Sequence, residues 1–275
     1  MYIPLLAFQN VNANGQATLD MRNLLGYTVK RLTLALGGTA FTKAMLTDIK
    51  LKANGKVFFE DTGSDVDARM QYRGIAASAN FLTIDFSELK AKSIDGEDLG
   101  AMDTTFGVTQ LTGEFQIAGA TAPTLAGYAE VGPPQVLSNG ASAPGRGLLA
   151  KVLSFNHYFG AAGTFPLDIP YGKNGGAIMK RIHLFHAGQV TGAQVKKNGI
   201  VIFDDNGDAA ANEFSEQEYG MSPQADLYTI DWIKSGNLSD ALNTANASTM
   251  QYNVTVNAAG NVNCVVELLD ALANN

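Results

Sequence analysis

Leu51-Lys52-Ala53-Asn54-Gly55-Lys56-Val57-Phe58-Phe59-Glu60-Asp61 sets an Asn-Gly pair between two apolar runs, and the arrangement returns as Val195-Lys196-Lys197-Asn198-Gly199-Ile200-Val201-Ile202-Phe203-Asp204-Asp205. Asn-Gly favours a type I′ turn, because both central residues need positive φ, so each stretch reads as a β-hairpin. Further downstream, Leu82-Thr83-Ile84-Asp85-Phe86 answers to Tyr228-Thr229-Ile230-Asp231-Trp232, and Phe106-Gly107-Val108-Thr109 to Tyr252-Asn253-Val254-Thr255. The offsets are 198 − 54 = 144, 231 − 85 = 146 and 252 − 106 = 146. An earlier pair, Lys30-Arg31-Leu32-Thr33-Leu34 and Lys180-Arg181-Ile182-His183-Leu184, is offset by 180 − 30 = 150, so loop lengths differ between the copies. Solenoid units are shorter, ~20 to 50 residues, and more numerous. Two matching halves in 275 residues predict two domains of like fold, each long enough to bury its own core.

The rest of the pattern is that of strands. Leu32, Leu34 and Leu36 recur with period two, as do Leu82, Ile84 and Phe86, and in the second half Ile182 and Leu184, then Tyr228, Ile230 and Trp232; these are the expected core positions. The 29 glycines suit many tight turns. Short helices are expected over Ser87–Lys92, Asn212–Tyr219 and Leu238–Asn246, the last with Asn237 or Ser239 as N-cap. The Pro-, Gly- and Ser-rich stretch from Gly132 to Gly147 reads as a linker. It predicts a boundary near residue 140, with domains 1–140 and 141–275 and Leu148–Phe159 as the first strand of the second. The class is all-β with short helical decorations.

Composition narrows the function. Charged residues make up 16% of the chain, against ~25% in an average soluble domain, which leaves uncharged surface suited to burial against another chain. A net charge of −7 with no run of Lys and Arg argues against a nucleic-acid groove. The single cysteine, Cys264, excludes an internal disulfide and, alternating with Val262 and Val266, reads as a buried small hydrophobe. No segment reaches the ~20 apolar residues of a membrane-spanning helix. The opening Ile3–Phe8 lacks the basic start and cleavage site of a secretory signal, so the N-x-S/T triplets at Asn237, Asn246 and Asn253 carry no weight.

No motif assembles a catalytic constellation. Gly145-Arg146-Gly147-Leu148-Leu149-Ala150 fits the dinucleotide spacing but follows a linker where that fingerprint needs a strand. Gly140-Ala141-Ser142-Ala143-Pro144 puts proline where a nucleophile elbow needs glycine. His183 and His186 stand three apart on a strand and point to opposite faces, and His157 stands alone. Asp85 and Asp231 occupy equivalent repeat positions, one per domain, so they read as structural acids at a strand surface or interface and not as a glycosidase pair. Asp204, Asn206 and Asp208 put oxygen ligands at alternate positions beside Gly207 and make a candidate weak Ca²⁺ loop, although an EF-hand would want glycine at Ala209 and glutamate at Ser215.

A tandem all-β pair of this size, with the Tyr228–Trp232 motif followed by Leu238–Leu242, and the passage from Ala143-Pro144 to Phe159 leading into Lys180–Leu184, resembles the double jelly-roll major capsid proteins of tailless icosahedral viruses, and among them the corticovirus type of internal-membrane bacteriophages. The resemblance implies two tandem eight-stranded jelly rolls. It implies a homotrimer whose six barrels form a pseudo-hexagonal tile of the virion, assembled in the host cytoplasm. Its partners would be copies of itself, neighbouring tiles, minor capsid or vertex proteins and the internal viral membrane, with no direct nucleic-acid contact. Met1–Phe8 would be an ordering arm or pack under its own barrel. The rival readings are a carbohydrate-binding or host-attachment β-sandwich protein, which wants exposed aromatic residues for sugar stacking, and a two-domain jelly-roll glycan hydrolase.

Overall fold

The computed structural model describes residues 1–92, 100–105, 107–133, 148–172 and 176–274. The chain divides into two compact units: Met1–Met70, Ile75–Val152 and Leu269–Asn275 form one, and Gln71–Gly74 with Leu153–Leu268 form the other. The expected boundary near residue 140, the motif Gly140–Pro144 and the glycines of Gly145–Ala150 lie outside the described residues; Leu148, Leu149 and Ala150 open a strand.

In the first unit the strands are β1 (Tyr2–Pro4), β2 (Gly15–Asp20), β3 (Thr28–Gly37), β4 (Leu46–Ala53), β5 (Lys56–Asp61), β6 (Phe81–Asp85), β7 (Met102–Asp103), β8 (Leu111–Ile117) and β9 (Thr124–Gly132), with helix α1 (Gly63–Tyr72) between β5 and β6, its last two residues, Gln71 and Tyr72, belonging to the second unit. β10 (Leu148–Phe159) begins in this unit and runs on into the second. There follow β11 (Gly163–Leu167), β12 (Ile178–Phe185), β13 (Val190–Lys197), β14 (Ile200–Asp204), helix α2 (Ala209–Glu218), β15 (Leu227–Asp231), β16 (Leu242–Asn243), β17 (Met250–Val256) and β18 (Gly260–Ala271). One sheet of the first unit has the order β1-β9-β3-β6 and the other contains β5-β4-β8-β2; the second unit shows β10-β18-β12-β15 and β11-β17-β13-β14. With the two-residue strands β7 and β16 set aside, both units carry the same eight strands in the same order. The eighth lies between the first and third with the sixth outside, and the second, seventh, fourth and fifth run in that order. Two jelly rolls are present, as predicted.

The Asn-Gly turns are as expected: φ is 51° and 79° at Asn54 and Gly55, and 52° and 80° at Asn198 and Gly199. Both hairpins also carry a β-bulge at one position. Leu51 faces Phe59 while Lys52 faces Val57, and Val195 faces Phe203 while Lys196 faces Val201, so Phe58 and Ile202 are the extra residues. The alternation reaches the core as read: Leu32, Leu34, Leu82, Ile84, Phe86, Ile182, Leu184 and Ile230 are all buried, and Trp232 packs half-buried against the second core. Cys264 is fully buried, and desolvation pushes its thiol up to about 12.

Four local expectations are corrected. Residues 87–92 form turns, not helix, because Ser87 is tied back by its N–H and Oγ to Asp85 Oδ1 at 3.2 and 2.7 Å. Leu238–Asn246 reduces to a 3₁₀ turn, Leu238–Asp240, with Asn237 as its cap. Asn212–Tyr219 is the later part of α2, which starts at Ala209 after its N-cap Asp208. The match of 106–109 with 252–255 is out of register. Ala53 faces Leu111 and its counterpart Lys197 faces Met250, so β8 and β17 correspond with an offset of 250 − 111 = 139; Phe106 itself is not among the described residues.

Candidate functional site

Duplication places a cross-strand ion triad in each unit. In the first, Arg31 on β3 sits opposite Asp85 on β6 and Glu130 on β9. Its guanidinium lies 3.7 Å from Asp85 and 3.6 Å from Glu130, and its side chain is 21% exposed. In the second, Arg181 on β12 sits opposite Asp231 on β15, donating from Nε at 2.9 Å, and its Nη1 donates to Glu267 on β18 at 3.1 Å. Here all three side chains are at most 3% exposed. Both aspartates also accept the amide two residues on, Ser87 N–H and Ile233 N–H. The repeated Lys-Arg and Ile-Asp positions were visible in the sequence, but not that they meet, and the third member, Glu130 or Glu267, went unread.

The second triad is the centre of a larger buried network. Tyr72 donates its hydroxyl to Asp231 at 3.2 Å, and Asn212 on α2 donates to Glu216 at 3.2 Å and to the Thr229 carbonyl at 2.8 Å. His183, wholly buried, places Nδ1 3.0 Å from Thr229 Oγ1 and Nε2 3.4 Å from Glu267. Burial, with the Asp231 charge adding to it, raises the Glu216 carboxyl to about 8, while hydrogen bonds from Tyr72 and Asn212 oppose the shift. Desolvation and the neighbouring acids hold the Tyr72 phenol far above its usual range. Asp85 and Asp231, expected as structural acids at a strand surface or interface, are 7% and 6% exposed. Every acid here is engaged by an arginine, an amide or a hydroxyl, so the network orients side chains and offers no open carboxylate pair. Two surface clefts, of about 400 and 430 Å³, are lined by other residues: Tyr171, Thr244, Met250 and Tyr252 in one, Thr42, Lys43, Asp67 and Ser78 in the other.

The acidic turn serves the backbone. Asp204 accepts the Asn206 N–H at 2.8 Å and Gln194 Nε2 at 2.6 Å, and these bonds hold its carboxyl below the usual range. Asn206 takes φ 56°, and Asp208 caps α2 by accepting the Ala211 N–H at 3.3 Å. Asp205, not singled out from the sequence, accepts Ala193 N–H at 3.0 Å, Gly207 N–H at 2.9 Å and the Tyr228 hydroxyl at 2.6 Å. Among the described residues no three His, Cys, Asp or Glu side chains are grouped to hold a metal. His186 is half-buried and accepts the Gly188 N–H at 2.9 Å, and burial lowers its pKa.

The surface carries uncharged patches. Along β14, Ile200, Val201 and Ile202 are 70%, 47% and 40% exposed. Met1 and Tyr2, at the start of β1, are each 73% exposed. Among the described residues no helix is long and apolar enough to cross a membrane.

Residues 2–132 match the family described as Viral coat protein P2 N-terminal domain, and residues 149–272 match Viral coat protein P2 C-terminal domain. No curated protein sequence matches the chain. The crystal structure of the major capsid protein P2 from Bacteriophage PM2 is similar, with TM-score 0.85 and 18% identity over 98% of this chain and 96% of that one. The STIV MCP is similar with TM-score 0.65 and 14% identity over 99% and 97%. The PBCV-1 virus capsid chain gives TM-score 0.59 and 10% identity over 98% and 92%. At these identities the structures speak for the fold.

Proposed function

From the premise that this chain belongs to the viral coat protein P2 family, with both of its domains present in order, and is a major capsid protein and not an enzyme, we propose that it works as a homotrimer. Six jelly rolls then form one pseudo-hexagonal tile of an icosahedral shell over an internal membrane. The observation that carries this reading is the identical strand order of the two units: two copies of one barrel per chain let three chains occupy six similar positions. Neighbouring tiles and minor capsid or vertex proteins are the partners it implies. The exposed apolar residues of β14 and β1 supply uncharged surface for such contacts.

Native mass decides it. Light scattering at micromolar concentration should give about three times the 29.1 kDa chain; a monodisperse monomer would sink the trimer.

The turn at Asp204, Asn206 and Asp208 is further proposed to take Ca²⁺ weakly. Its support is that both carboxylates stand exposed and keep acceptor sites beyond the amides they bind. Thermal unfolding with calcium and with chelator, on the parent and on Asp208→Asn, tests it: a parent midpoint indifferent to calcium leaves only a structural turn.

A further inference from the structure

Equivalent strands of the two jelly rolls are covered unequally. β5 and β14 are both the fifth strand of their unit, and both carry the bulge described above. In the first unit the outer edge of β5 is filled: β10 pairs with it in parallel, Val152 opposite Phe59. Phe58 and Phe59 are accordingly 0% and 1% exposed. The counterpart Ile202 is 40% exposed, Phe203 is half-buried, and β14 ends its sheet with no outer neighbour among the described residues. β14 also lacks the devices that normally blunt an edge, since Ile200-Val201-Ile202 holds neither a charge nor a proline.

The missing neighbour can be identified from the repeat. β10 is a first strand, bonded to the eighth strand β18 on one side and to a fifth strand on the other. The other first strand, β1, is bonded to its eighth strand, β9, on one side, with Tyr2 opposite Glu130, and ends its sheet on the other. Among the described residues one fifth-strand edge and one first-strand edge therefore remain open per chain, and their counterparts pair with each other. We propose that β14 of one copy pairs in parallel with β1, Tyr2–Pro4, of the next copy, repeating the relation of β5 and β10. The two surfaces suit one another: Ile200 and Val201 face outward from one, Met1 and Tyr2 from the other, and none of these side chains is charged. Such a contact is head-to-tail, so it propagates from copy to copy and ends only by ring closure. It rests on the trimer proposed above and specifies which strands hold it.

Cross-linking on the full chain tests the contact without knowledge of its register. Tyr2→Cys is combined in turn with Ile200→Cys, Val201→Cys and Ile202→Cys, all at exposed positions; the buried Cys264 stays as the silent background. Mild oxidation is expected to give covalent dimers and trimers on a non-reducing gel in at least one combination, and none in the single-cysteine variants. The paired substitution Ile200→Lys with Val201→Lys is expected to reduce the native mass from three chains to one while the far-UV circular dichroism is unchanged. A parent trimer that gives no covalent ladder in any combination, or that survives both lysines, overturns the β14–β1 contact and leaves the trimer standing. A monomeric parent overturns both.

Discussion

The first unit leaves Arg31 and Glu130 of its triad within reach of water while Asp85 is buried, whereas the second buries all of Asp231, Arg181 and Glu267, with Tyr72 and the α2 side chains Asn212 and Glu216 around them. The register and residue types are the same, yet the geometry tightens from 3.7 and 3.6 Å to 2.9 and 3.1 Å. What differs is the medium. A charge that water can still solvate tolerates a loose partner, while one withdrawn from water needs every oxygen matched. The duplicated chain thus contains its own control for the effect of burial on an ion pair.

The largest expected effect is Arg181→Met, which removes the guanidinium that bridges two buried carboxylates and should cost about 3–5 kcal/mol. Arg31→Met, where water still reaches the guanidinium and Glu130, should cost less, about 1–2 kcal/mol. Chemical denaturation of the two variants checks the ratio, and equal losses would mean that burial is not what separates the triads. Next come the positions where the copies coincide. Asn54 Oδ1 accepts Thr109 N–H, Thr109 Oγ1 and Gln110 N–H, and Asn198 Oδ1 accepts Ser248 N–H, Ser248 Oγ and Thr249 N–H. Asn54→Ala and Asn198→Ala should each cost about 1–3 kcal/mol, with matching shifts in unfolding midpoint; a clear inequality would show that the hairpins are not equivalent.

The last comparison concerns pH. The Glu216 proton is held more tightly in the fold, at about 8, than in the unfolded chain near 4.5. Its stabilising contribution is therefore complete below about 4.5 and is lost as pH rises through about 8. Asp61 in the first unit behaves likewise over a lower window, from 3.8 to about 6, because burial raises it while Arg69 pulls the other way. Glu216→Gln should flatten the fall in unfolding midpoint between pH 6 and 8; an unchanged slope would assign that fall to other groups.

Much of this was readable from residues alone. Period two found the strands, and the Asn-Gly pairs located the hairpins to the residue, because the positive φ they require is a local property. The triads were half legible: Asp85 and Asp231 were recognised as equivalent, but alternation put them on the face opposite Ile84 and Ile230. The reason is that β15 is buried on both faces, all five residues of Leu227–Asp231, so one side of the strand is a polar interior that hydrophobic counting cannot see. Helix α1 was missed for a related cause. Its buried residues include Arg69 as well as Val66 and Met70, and an inward-facing arginine erases the apolar stripe. Thr62, three residues before Asp65 and bonded to its N–H at 3.1 Å, was the available signal.

The pairing of Tyr2 with Glu130 also fixes a schedule. The first strand cannot be seated until a residue 130 − 2 = 128 positions later has been synthesised, at ~5–20 residues per second a wait of about 6 to 25 s. The local hairpin around Asn54 can close within microseconds of leaving the ribosome, so β1 is among the last parts of its barrel to find a place. The apolar segment Ile3–Phe8 therefore stays unseated on the nascent coat protein until the strand of Glu130 has been made.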